Sequence, residues 1–128
     1  MEFMLCIFNE GDAKAGMTEA IHRVFVSQCE TYIDQLKAGG NLIAAQPLLQ
    51  EGLRLSRNDS GNWQTAALAN TGKVQVGYYH IIAPDLAAAL AIAKNNPEFA
   101  FVPSASIEIK TVKTREDQTG FVYPAGPL

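Results

Sequence analysis

Ile21, Val24, Phe25, Cys29, Tyr32, Ile33 and Leu36 recur at three- and four-residue steps, which predicts a long helix with one apolar stripe. Thr18 or Gly16 is placed to cap its start, and Gly39-Gly40 to end it by supplying a residue with positive φ. A helix with a single apolar face must lay that face on something. The segments around it read as strands, so the partner is a sheet.

Residues 2–8 form a continuous apolar run, as expected of a strand covered on both faces. The polar loop "NEGDAKAG" leads into the helix. After the helix, "NLIAAQPLL" predicts a strand with Pro47 at its edge or end. "GLRLSRNDSGNWQTAALA" predicts a hairpin, since Leu53 and Leu55 alternate with Arg54 and Ser56 before the turn residues Asn58-Asp59-Ser60-Gly61. "NTGK" is a second turn, and Val74 to Ile82 the next strand.

Pro84 then suits a helix's first turn, and Asp85 the positive end of its dipole. Leu86, Ala89, Leu90 and Ala93 form the stripe of this second helix, which Lys94 to Pro97 stops. Ser106 to Val112 alternates cleanly as a last strand. The chain thus divides into a domain over 1–113 and a tail or dimer arm over 114–128, whose Phe121, Val122 and Tyr123 are its apolar part.

Strand, helix, strands, strand, helix, strand is the split βαβ plan of an α+β fold. It sets an antiparallel sheet under two helices on one face. The other sheet face lacks a cover, which predicts a homodimer closed sheet against sheet.

Composition narrows the function classes. Formal net charge is −3, and no lysine- or arginine-rich run is present, so a nucleic-acid surface is not expected. Apolar stretches end well short of membrane-spanning length, so no membrane partner is expected either. The opening "MEFMLCIFNEG" reads as a strand and not as a signal peptide. Cys6 and Cys29 lack metal or redox spacing and predict two reduced thiols in a cytoplasmic protein. Asp12, Glu10 and Glu19 have no histidine at ligand spacing, so neither a metal nor another cofactor is expected.

"YIDQLKAGGNLIAAQPLL", "LSRNDSGNWQ" and "VGYYHIIAPDLAAALAIAKNNPE" together resemble the YCII-related proteins of the DGPF type. The resemblance covers most of residues 1–112. It implies a ferredoxin-like fold, assembly as a dimeric α/β barrel, and a link to alternative sigma factors. The departures are specific. Thr65-Ala66-Ala67-Leu68 stands in place of the family's Asp-Gly-Pro-Phe signature, and Asn70-Thr71-Gly72-Lys73 keeps only Thr71 of a further motif. Where the smaller relatives carry a helix histidine and a later aspartate, this chain has Gln28 or Cys29 and Asn96. That dyad's activity does not transfer.

Strand alternation assigns the remaining candidates. Gly77, Tyr79 and Ile81 should lie under the helices, because a titrating group buried there without a partner costs a few kcal/mol, about 1–3 on mutational scales. Tyr78 and His80 then face the barrel interior or dimer cleft, where a histidine could handle protons near neutral pH. Arg57, in the hairpin, and Thr71, in the following turn, complete the candidate pocket. His22 is expected on a solvated helix surface. Two functions compete: a small, cofactor-free enzyme or binding protein acting on a small organic molecule among His80, Tyr78, Arg57 and Thr71, and a non-catalytic interaction module, which the resemblance would link to an alternative sigma factor.

Overall fold

The computed structural model describes residues 1–124. In chain order it contains β1 (Glu2–Glu10), α1 (Glu19–Ala38), β2 (Leu42–Pro47), β3 (Leu53–Arg57), β4 (Trp63–Ala67), β5 (Lys73–Ile82), α2 (Leu86–Lys94), the single turn α3 (Glu98–Phe101) and β6 (Ser106–Thr111). Four strands form one antiparallel sheet in the order β2-β5-β1-β6. The arrangement is consistent with a ferredoxin-like α+β fold. The β3-β4 hairpin is inserted between β2 and β5 and makes a separate two-stranded sheet.

Alternation along the central strands sorts the two faces. Phe3, Leu5, Ile7 and Asn9 of β1 are buried, as are Gly77, Tyr79 and Ile81 of β5, on the side facing the helices. Their cluster is completed by Tyr32 and Leu36 of α1 and by Ala89 and Ala93 of α2. Both helices therefore cover the same sheet face. Phe3, Leu5 and Ile81 are fully enclosed. Tyr32 and Tyr79 meet edge to face at 5.3 Å, and the Tyr32 hydroxyl donates to the Ile92 carbonyl at 2.8 Å. Burial pushes that hydroxyl's pKa up to about 12.

Caps and close approaches follow the residue types. Thr18 is the N-cap of α1 and accepts from the Ile21 N–H; Gly40, with φ 72°, follows its end. Asp85, and not the helix's first turn, is where α2 is capped, its carboxylate accepting from the Ala88 N–H at 2.8 Å. Pro84 accordingly stands before the cap. Gly77 permits β2 and β5 to approach, since a Cβ there would lie 2.9 Å from the Gln46 carbonyl oxygen.

The helix stripes are narrower than their periodicity implies. On α1 only Phe25, Tyr32 and Leu36 are buried, whereas Ile21 and Val24 are about half exposed. On α2 the buried positions are the two alanines, and Leu86 and Leu90 turn outward. The small alanines let α2 sit close to the sheet. The tail folds back on itself through an isolated bridge between Arg115 and Val122. The part of the expected arm over 125–128 lies outside the described residues.

Candidate functional site

The core cluster fills the sheet beneath the carboxy-terminal half of α1 and beneath α2. Beneath the other half of α1 the sheet is not filled. A cleft of about 560 Å³ opens there, walled by Phe25, Val26, Cys29 and Ile33 on the helix side. Ile7, Val76, Gly77 and Tyr79 form its sheet side, and Pro47, which ends β2, and Leu48 to Gln50 after it form its lip. The volume falls within the range of small-molecule sites.

A polar cluster lies in this otherwise apolar cleft. Asn9 occupies an inward position of β1, where the apolar alternation ends in an amide. Glu98, in α3, is 4% exposed. Its backbone N–H donates to the Asn96 side-chain oxygen at 2.9 Å, which orients the turn. Lys14, from the loop between β1 and α1, closes on the carboxylate, its Nζ 2.6 Å from Oε2 and 3.0 Å from Oε1. The same ammonium lies 4.6 Å from the centroid of the Phe25 ring. Asn9 Nδ2 donates to Glu98 Oε2 at 3.4 Å, leaving the buried Asn9 Oδ1 without a partner among the described residues. An unpartnered buried acceptor is costly, and in a cleft wall it invites a donor.

Cys29 stands in the same wall. Burial, chiefly, and then the Glu98 carboxylate hold its thiol pKa above the ordinary 9.0, with Lys14 opposing them. Burial and the carboxylate both favour the thiol over the thiolate. Burial likewise raises Tyr79, helped by nearby Cys29, Tyr32 and Glu98. At the mouth, Gln50 donates to Asp12 at 3.1 Å and so ties the lip to the loop that carries Lys14.

The residues singled out from sequence lie elsewhere. His80 and Tyr78 share the sheet's open face, in register with Met4 and Cys6 of β1. His80 Nε2 lies 2.7 Å from Glu2 Oε1, a partner that strand reading did not supply. Arg57 belongs to the hairpin, where its Nε donates to the Gly61 carbonyl and its guanidinium lies 4.9 Å from the Trp63 ring centroid. Thr71 is exposed in the turn before β5. None of these four lines the cleft; His22 is exposed on the helix surface, as expected, and stands at its rim. Of Gln28 and Cys29, the two positions where the resemblance would set a histidine, Cys29 lines the cleft and Gln28 does not, and Asn96, where it would set an aspartate, accepts from the Glu98 N–H.

The sequence feature that marks this site is the amide Asn9, which ends the inward alternation of β1. Among the described residues, no group of three His, Cys, Asp or Glu side chains is placed to hold a metal ion, and no helix is long and apolar enough to cross a membrane. No known protein family matches the sequence, and no curated protein matches it.

The raised Cys29 pKa can be measured by alkylation in a Cys6→Ser background. The pH midpoint of the rate is expected above 9.0. Glu98→Gln removes a charge that disfavours the thiolate, so the midpoint should fall and alkylation at a fixed, mildly alkaline pH should quicken. An unmoved midpoint would contradict the placement of Glu98 beside Cys29.

Proposed function

We propose that the protein binds a small organic molecule in the cleft between α1 and the sheet. The observation that carries this reading is the convergence of apolar walls on Asn9, Lys14 and Glu98, with one buried acceptor unsatisfied. The site is thus shifted from the open sheet face, where His80 and Tyr78 stand, to the helix side. Recognition by a few fixed polar groups among apolar walls is a binding arrangement. Nothing in it requires a chemical step.

A thermal-shift screen of small metabolites tests this reading. Compounds that stabilise the wild type are expected to lose their effect in Val26→Trp, whose larger side chain fills the cleft, and to keep it in His80→Ala. The opposite pattern would move the site to the open face.

The open face supports the second part of the proposal, assembly as a homodimer closed sheet against sheet. Its rows, Ala44–His80–Met4–Lys110 and Gln46–Tyr78–Cys6–Glu108, run across all four strands with no helix over them. The protein exposes 8799 Å² of surface, where a compact monomer of 13.8 kDa would expose about 6,600 Å². The excess is of the order that a stable interface buries. The exposed Leu53, Leu55 and Trp63 of the hairpin add to it and favour a role in contacts between chains. Sedimentation is expected to show a dimer at micromolar concentration, and a stable monomer there would contradict the closed sheets.

A further inference from the structure

The Lys14 ammonium already sits in a receptor for a cation. It meets both oxygens of a buried carboxylate and the face of an aromatic ring, and Val26, Ile33, Leu48 and Val76 line the space beside it. A carboxylate plus an aromatic face is the chemistry that recognises an ammonium in a desolvated site. Asn9, whose Nδ2 donates to the same carboxylate, belongs to the same wall.

Lys14 is supplied by a loop and not by a core element. The segment from Gly11 to Gly16 is a run of turns, and Ala13, Ala15 and Gly16 are exposed. Its ammonium can therefore leave Glu98 for water without unfolding the sheet. The remaining charges favour the same ligand class. Asp12, Glu30 and Glu98 line the cleft against the one ammonium of Lys14, so a cleft vacated by Lys14 attracts cations and repels anions.

We propose that the cleft takes a hydrophobic primary amine, whose ammonium replaces that of Lys14 on Glu98 and Phe25 while its alkyl or aryl part lies along the apolar walls. This rests on the reading of the cleft as a ligand site and adds the ligand's chemistry. Lys14 is then a built-in competitor. The exchange keeps charge balanced, since one ammonium enters as another leaves.

The test compares wild type, Lys14→Met and the double variant Lys14→Met/Glu98→Gln, with hexylammonium, hexanol and hexanoate as probes. By calorimetric titration hexylammonium should bind Lys14→Met about a hundredfold more tightly than wild type, because no competitor must be displaced. It should raise the melting temperature of Lys14→Met, leave the double variant unmoved, and outperform both isosteres. If Lys14→Met does not fold alone, refolding in hexylammonium but not in hexanoate is the expected result, and equal recovery in both overturns the proposal. Hexanol or hexanoate acting as strongly as the amine, with the effect lost on Val26→Trp, overturns the amine chemistry and leaves the cleft reading standing. No shift by any probe on any variant overturns both.

Discussion

A carboxylate withdrawn from water must find a cation and hydrogen bonds, and Glu98 meets that demand in a way that organises one end of the molecule. Losing a single partner of a buried pair commonly costs about 3–5 kcal/mol, because the remaining charge stays desolvated. Glu98 is held by a lysine from the first loop, an amide from the first strand and the turn set by Asn96. Segments 84 and 89 residues apart are thereby fastened together. The cleft under α1 has its polar end where these segments meet.

The division of the helix-covered face into a filled half and an open half follows from side-chain size. Ala89 and Ala93 bring α2 close to the sheet, and Tyr32, Leu36 and Tyr79 occupy the space beside it. Under the amino-terminal half of α1 no second helix of comparable length stands alongside. The one-turn α3 contributes Glu98 and, edge-on to Phe25 at 5.3 Å, Phe101. Burial of apolar surface at one end thus carries the stability, and the other end remains available for a ligand.

Much of this architecture was legible in residue spacing. The long stripe of α1 and the alternation of β5 placed Gly77, Tyr79 and Ile81 under the helices and Tyr78 and His80 opposite them. Local chemistry likewise marked Thr18, Gly39-Gly40 and the Asn58–Gly61 turn. The cleft was not legible, because its polar groups belong to segments remote along the chain. Asn9 lies past the apolar run of residues 2–8, Lys14 is in a polar loop, and Glu98 follows a proline that reads as a helix stop. At Ile21 and Val24 the stripe of α1 extends beyond the buried contact, since periodicity reports which residues share a side and not how much of that side meets the sheet.

The most direct measurement of the account is a double-mutant cycle on Lys14 and Glu98, followed by chemical denaturation. A desolvated carboxylate held by one lysine predicts that Lys14→Met destabilises by roughly 3 kcal/mol and that adding Glu98→Gln recovers most of that loss. If the two losses instead add, the pair is merely a neighbouring lysine and glutamate, and the cleft has no charged centre to recognise anything.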